Sequence, residues 1–239
     1  MKALILVGGR GTRLKPYTTV IPKPLLPVGD RPILEIILEQ LRLAEITDVI
    51  LAVGHMSHLF ESFFQDGKRH GLNITYSFEE EALGTAGAIA NSLDRLGSDF
   101  LVMNGDLLTT LNYRELIEFH KRNNSAGTIA TFNREIQMDF GVINFNEKGE
   151  LISLEEKPTY NFNFGMGVNV LKSEKASLYI EEGKYLDMPD LMMNLKNGGE
   201  IVHCYQEDCF WLDMGRPEDY EKANEEFEAR REIFFPDKY

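Results

Sequence analysis

The sequence predicts an α/β protein, a Rossmann-like mixed sheet flanked by helices with a β-rich second half. Three observations lead there. The chain opens on a short apolar run that stops at a glycine-rich loop. Up to about residue 106, apolar runs alternate with segments of helical periodicity. Beyond about residue 127, strand-like runs follow one another over short connections. Short apolar runs bounded by glycine or proline read as buried strands, and strand–helix alternation implies parallel strands with helices on their faces.

Residues 2–7 are the first strand. Pro16, Pro22, Pro24, Pro27 and Pro32 forbid a continuous helix across 8–32. Ile33, Ile36, Ile37, Gln40, Leu41 and Ala44 recur at helical spacing, so 33–45 is a helix. A second buried strand, Val49 to Val53, stops at Gly54. A helix over about 57–65, a strand at 73–78 and a helix starting near Gly84 follow. The strand 100–103 then runs into Asn104-Gly105-Asp106. In the second half, 127–132, 141–145, 151–155 and 167–171 read as strands, with Asn146-Glu147-Lys148-Gly149 as a hairpin turn. A helix at about 187–197, strands at 200–205 and 210–212, and an acidic amphipathic helix at about 217–231 complete the reading. No linker composition, low-complexity segment or repeat interrupts it, and no β-helix repeat follows the last helix. The expected organisation is one domain over 1–239, divided at about residue 110.

The 239 residues, 43% of them hydrophobic, suffice for one sizeable core. No apolar run approaches the roughly 18–20 residues of a membrane span. The first apolar run is too short for a secretion signal and lacks a cleavage site. Cys204 and Cys209 imply no disulfide framework, so a cytoplasmic location is expected. A net charge of −13 speaks against nucleic acid or an anionic membrane as partner. Lys2, Arg10, Arg13, Lys15, Lys23 and Arg31, against Asp30 alone, make residues 1–31 basic. Cations concentrated around a glycine-rich loop in an acidic chain predict a small polyanion as ligand.

The loop reads Gly8-Gly9-Arg10-Gly11-Thr12-Arg13-Leu14. Glycines let the backbone approach phosphate and turn its N–H groups toward it. Two common owners of such loops fail. A dinucleotide fingerprint counted from Gly9 and Gly11 would need glycine where Leu14 stands, and Pro16 soon interrupts. A P-loop needs Gly-Lys-Ser/Thr, which is absent. The loop continues instead to Ile21-Pro22-Lys23-Pro24-Leu25-Leu26-Pro27-Val28, where prolines on both sides of Lys23 stiffen the backbone that presents its ammonium.

Gly8-Gly9-Arg10-Gly11-Thr12-Arg13-Leu14-Lys15-Pro16, then Pro22-Lys23-Pro24-Leu25-Leu26-Pro27-Val28, resembles the signature of the sugar-1-phosphate nucleotidylyltransferases, and the likeness covers essentially the whole chain. It departs at Arg31, in Gly29-Asp30-Arg31-Pro32, where Lys-Pro is frequent; the charge is kept. The resemblance implies a GT-A-like architecture, a nucleotide-binding half over 1–110 and a sugar-phosphate half over 111–239. It also implies nucleotide contacts from Leu6, Gly8, Gly9, Gly11 and Thr12, and triphosphate binding with charge neutralisation by Arg13 and Lys23.

Nucleotidyl transfer needs positioning and charge neutralisation, usually with Mg²⁺, which takes one or two carboxylates plus phosphate oxygens. Asp106 and Asp213 both stand at strand ends, where α/β sheets place their sites. Most strand-end aspartates only cap or turn the chain, the reading kept for Asp99, Asp139 and Asp208. Asn104-Gly105-Asp106 and Trp211-Leu212-Asp213-Met214-Gly215, however, resemble the family's two metal-ligand motifs. No histidine spacing suggests a metal.

Glu81-Ala82-Leu83-Gly84-Thr85-Ala86-Gly87-Ala88 resembles the family's base-binding segment, with Gly84 and Thr85 as contacts; close packing of a helix start would demand the same small residues. Glu79 and Glu80 stand near where thymidylyl and uridylyl enzymes commonly have glutamine. A carboxylate only accepts hydrogen bonds, which suits the N1–H and N2–H of guanine and leans toward GTP with a mannose- or heptose-type 1-phosphate. Phe140-Gly141-Val142 and Glu155-Glu156-Lys157-Pro158 match the sugar-side motifs. By resemblance Lys157 holds the sugar phosphate, Glu156 the hydroxyls and Gly141 a backbone contact, with Asn169 either beside them or outward on its strand. Another acceptor such as phosphocholine, and a non-catalytic nucleotide-sugar sensor, are the alternative readings. Phe234-Phe235-Pro236 either docks on a partner subunit of a homo-oligomer or packs back on the body.

Overall fold

The structure is a computed structural model that describes residues 1–235. Its centre is a seven-stranded mixed sheet, in the spatial order Val202–Gln206, Gly127–Gln137, Thr159–Lys172, Asp99–Asn104, Lys2–Leu6, Asp48–Val53 and Asn73–Phe78. The last four run parallel, as strand–helix alternation requires. Thr159–Lys172 joins antiparallel to Asp99–Asn104 and to Gly127–Gln137, and Val202–Gln206 lies parallel to Gly127–Gln137. Leu6 sits opposite both Ala52 and Asn104, so three strand ends finish at one level. The loops after Leu6, Val53 and Asn104 therefore open on the same edge.

Successive strand residues face opposite sides of a sheet. Ala3, Ile5, Leu101 and Met103 enter one apolar layer, with Leu38 and Leu41 of the Ile33–Leu43 helix and Phe60 and Phe64 of the Ser57–Phe64 helix. Leu4, Phe100 and Val102 enter the other, with Leu191 and Leu195 of the Met188–Asn197 helix. A third cluster joins Val28, Ile33 and Leu108 to Phe227, Phe234 and Phe235. The C-terminal helices, Pro217–Ala229 and Arg231–Phe234, thereby clamp the proline-rich segment. Phe234 and Phe235 pack back on the body; Pro236 lies outside the described residues.

Four features differ from the sequence reading. A helix, Tyr113–Arg122, occupies a stretch given no element; Asn112 caps it by accepting from the N–H groups of Arg114 and Glu115. The helix at Gly84 ends after Gly84–Gly87 and resumes only as a 3₁₀ turn and Leu93–Leu96. Asp99 neither caps a helix nor makes a turn but lies in its strand, 3.6 Å from His120 Nε2. The strands Gly127–Gln137 and Thr159–Lys172 run past their expected ends and pair with each other as an arm. The chain between them forms a second hairpin, Val142–Phe145 with Leu151–Glu155, and Gly149 N–H donates to Asn146 O in its turn.

Candidate active site

The glycine loop begins where Val7 N–H donates to Ala52 O, beyond the last paired residue. A Cβ on Gly8 would stand 3.3 Å from Gly54 N and 3.3 Å from Glu79 Oε1, so the loop, the Gly54 turn and the Glu79 carboxylate crowd together. Gly11 adopts φ +58°, the left-handed conformation that favours glycine. The Pro22–Leu26 segment folds as one 3₁₀ turn, Leu25 N–H donating to Pro22 O and Leu26 N–H to Lys23 O.

That turn buries Lys23, which is 7% exposed. Its Nζ lies 2.5 Å from Asp106 Oδ2 and 3.5 Å from Asp213 Oδ1. Two short structures bring the carboxylates there. Gly105 N–H donates to Leu6 O, and a Cβ on Gly105 would stand 2.4 Å from Val7 Cγ1, so only glycine lets the Asp106 turn sit this close to the first strand. Trp211–Asp213 pairs antiparallel with Leu107–Thr109, Asp213 opposite Leu107, which places Asp213 beside Asp106. Burial pushes the Asp106 carboxyl above its ordinary range, and the Lys23 ammonium opposes that rise.

A cleft of about 870 Å³ opens above these groups. Eleven of the anticipated residues line it: Leu6, Gly8, Gly9, Gly11, Thr12, Arg13, Lys23, Glu79, Gly84, Thr85 and Asp106. Asp213 lines an adjoining cavity of about 890 Å³, and Arg13 and Gly215 border both. Gly141, Glu156, Lys157 and Asn169 line neither. The first three lie on the exposed arm, where a Cβ on Gly141 would stand 2.9 Å from Glu156 Oε2. Asn169 is neither in the cleft nor outward; it is buried within the sheet, opposite Val102 and Ile129.

The small residues at 84–87 have a different neighbour from the sheet. A Cβ on Gly84 would stand 2.5 Å from Leu186 O, and one on Gly87 2.6 Å from Lys184 O. Ala86 and Gly87 N–H both donate to Leu186 O at 2.9 Å. Asp187, which the sequence reading missed, comes with that crossing segment into the cleft. Its carboxylate accepts from Thr85 N–H, the Thr85 hydroxyl and the Tyr185 hydroxyl. The Tyr185 bond, then those from Thr85, hold it below the usual carboxylate range. His55 also lines the cleft unanticipated, as do Asn104 and Gly215, which the sequence reading quoted within its motifs but did not name as contacts. Glu79 is half-buried, and burial raises its carboxyl, partly offset by a backbone hydrogen bond from Leu83.

The sequence pattern of the nucleotidyl transferase family matches residues 2–230. The chain belongs to that family. Among the relatives of this nucleotidyl transferase chain, a UTP–glucose-1-phosphate uridylyltransferase of Synechocystis sp. is 31% identical, over 93% of this chain and 62% of the relative. A mannose-1-phosphate guanylyltransferase of Mycobacterium tuberculosis is 34% identical, over 93% of this chain and 63% of the relative. The chain thus spans less than two thirds of these curated relatives. The structure of HddC from Yersinia pseudotuberculosis complexed with GMP-PN superposes with a TM-score of 0.72 at 26% identity, covering 95% of this chain and 99% of that one. Among the described residues no helix is long and apolar enough to cross a membrane.

Proposed function

We propose that the protein transfers a nucleotidyl group from a nucleoside triphosphate to a sugar 1-phosphate, releasing pyrophosphate. The observation that carries this is the convergence of Lys23, Asp106 and Asp213 beside the glycine-loop cleft. Family membership supports the same reaction. In this reading residues 1–110 bind the nucleotide and 111–239 supply the sugar-phosphate side.

The two carboxylates fit a Mg²⁺ ion. They already converge on one cation, the Lys23 ammonium, and no third His, Cys, Asp or Glu joins them among the described residues. That leaves room for the phosphate oxygens and water that Mg²⁺ prefers. Asp106 and Asp213 would hold the ion, which when bound supplies charge neutralisation at the phosphates.

The chain's own residues do the rest. The glycine loop presents N–H groups to the triphosphate, with Leu6, Gly8, Gly9, Gly11 and Thr12 along its wall. A phosphate oxygen of the sugar 1-phosphate attacks the α-phosphorus, a new P–O bond forms, and the bond to pyrophosphate breaks. Arg13 and Lys23 neutralise the charge that gathers on the departing pyrophosphate. The acceptor is already a nucleophilic oxyanion, so no covalent enzyme intermediate enters. On the arm, Lys157 takes the sugar phosphate, Glu156 the hydroxyls and Gly141 a backbone contact; Asn169, buried in the sheet, has no direct part in this reading.

The base is guanine in this proposal. Glu79 puts an acceptor-only carboxylate against Gly8 in the cleft, complementary to the paired donors of guanine. The guanylyltransferase relative and the GMP-PN complex of HddC support it, and a mannose- or heptose-type 1-phosphate is the matching acceptor. The test is turnover of Lys23→Ala and Asp106→Ala. Each falls at least ~100-fold, the scale of one removed transition-state contact; near-normal turnover in either overturns the assignment.

A further inference from the structure

The Gly84–Gly87 turn at the cleft wall is too short to hold itself. It is a single helical turn of four residues, and a lone turn fixes more backbone than its hydrogen bonding stabilises. Its anchor is the segment from Lys184 to Asp187, which arrives from the far half of the chain. Leu186 N–H donates to Leu83 O, and Leu186 O accepts in return from Ala86 and Gly87 N–H, each at 2.9 Å. Gly84 stands at φ +78°, a conformation that favours glycine, and its lack of a side chain lets the Leu186 carbonyl approach.

Two side chains complete the junction. The Thr85 hydroxyl accepts from Met188 N–H at 2.8 Å, so its own single proton is left for Asp187 Oδ1, 3.3 Å away. Thr85 N–H donates to the same oxygen at 3.1 Å, and the Tyr185 hydroxyl donates to Asp187 Oδ2 at 2.7 Å. Each residue thus satisfies a backbone N–H at the start of the other's helix, Asp187 that of Thr85 and Thr85 that of Met188.

These bonds define what an acid can do in a cleft read as a triphosphate site. An ionised carboxylate has about four accepting positions, and protein donors fill three of those on Asp187. A bare negative charge would repel phosphate, whereas a charge engaged by three donors is partly neutralised. The contacts of Asp187 are with the turn, and the turn carries Gly84 and Thr85 to the cleft.

We propose that Asp187 is a positioning residue for the nucleotide: acting through Thr85, it fixes the Gly84–Gly87 turn against which the base is read. This rests on the nucleotide-binding role proposed above for Gly84 and Thr85. The half of the chain given to the acceptor then also holds part of the nucleotide's pocket in place.

Calorimetric titration of the full chain tests it without turnover. GTP, UTP, dTTP, ATP and CTP are titrated in turn into wild type, and the tightest of them into the variants, with circular dichroism melts as the folding control. Asp187→Ala leaves Thr85 without its acceptor and weakens binding by roughly tenfold or more, the scale of one hydrogen bond to a charged group. Asp187→Asn keeps an accepting oxygen for Thr85 and turns an amide N–H to the Tyr185 hydroxyl, so it binds within roughly threefold of wild type. A carboxylate that itself touched the ligand would not be rescued in this way. Combined with Thr85→Val, the alanine substitution costs less than it does alone, because the two residues act by one route. Hydrogen exchange on wild type needs no variant: on adding the nucleotide, the amides of 85–87 and those of 186 and 188 slow together. A folded Asp187→Ala that binds as wild type does, whatever its Tm, overturns the proposal. So does an asparagine variant as weak as the alanine one, or slowing confined to 85–87. Wild type that binds none of the five triphosphates overturns it together with the proposed reaction. Wild type that binds one, with the pattern above, but never releases pyrophosphate counts against the reaction alone.

Discussion

The Lys23 ammonium lies 2.5 Å from the Asp106 carboxylate and also reaches Asp213, occupying the position between two acids that a bound cation would take. A cation held there competes with the lysine for the same oxygens. In the proposed reaction the lysine would turn to the triphosphate once that is bound. Wild type without nucleotide is therefore expected to bind Mn²⁺ weakly. Lys23→Met should bind it about tenfold more tightly, in line with losing one competing charge-assisted contact. Calorimetry or electron paramagnetic resonance titration reads this directly, and equal affinity in both proteins would contradict it.

Glu79 gives a prediction on base choice. Glu79→Gln replaces an acceptor-only group by one that also donates. The ratio of kcat/KM for GTP to that for UTP should fall by roughly 10-fold or more, the scale of mismatching a buried hydrogen-bonding site. Because burial raises the Glu79 carboxyl, it takes up its proton at a higher pH than a free glutamate. GTP affinity should thus drop on acidification while the pH is still above the ordinary glutamate range, and the glutamine variant should lack that drop. A GTP preference unchanged by the substitution removes Glu79 from base recognition.

How much of this was legible in the sequence depends on the distance over which each feature is encoded. The first half was clear because buried parallel strands are short apolar runs and the glycine loop is contiguous. Tyr113–Arg122 was legible and overlooked: Asn112 is a capping residue, and Tyr113, Leu116, Ile117 and His120 fall on one helical face. The arm was foreshortened for a physical reason. Its outer strands alternate aromatic and polar residues instead of forming apolar runs, since both of their faces are largely exposed among the described residues. Asp187 and the burial of Lys23 were not legible. Each depends on segments more than 80 residues apart meeting, Thr85 with Asp187 and Lys23 with Asp106, which no local pattern records.

His120 supplies a stability prediction away from the cleft. Its Nδ1 pairs with the Thr128 hydroxyl at 2.9 Å, and its Nε2 lies 3.6 Å from Asp99. Burial lowers its pKa, with Asp99 opposing. The unfolded state then binds the proton first. Stability is full above the unfolded value of about 6.5 and is lost progressively as pH falls from there toward the lowered folded value. Thermal melts between neutral and mildly acidic pH should show Tm falling, and His120→Gln should flatten that slope. An identical slope in the variant would rule His120 out as its source.

Gly105→Ala tests the placement of Asp106. The added methyl meets Val7 Cγ1 inside the core, where overpacking costs typically ~1–3 kcal/mol. Tm should fall, and turnover should fall with it as the Asp106 turn moves away from Lys23. A variant with unchanged melting and unchanged turnover would show that the turn has slack that the geometry denies.

The most direct measurement is pyrophosphate release from each common nucleoside triphosphate paired with a panel of sugar 1-phosphates, with the nucleotide sugar followed in parallel. Pyrophosphate and nucleotide sugar are expected in equal amounts, only when both substrates are present, and fastest with GTP and a mannose- or heptose-type 1-phosphate. No pyrophosphate from any pair, or release that does not require the sugar 1-phosphate, would contradict the proposed transfer; product with UTP or dTTP but none with GTP would contradict the assignment of Glu79 alone.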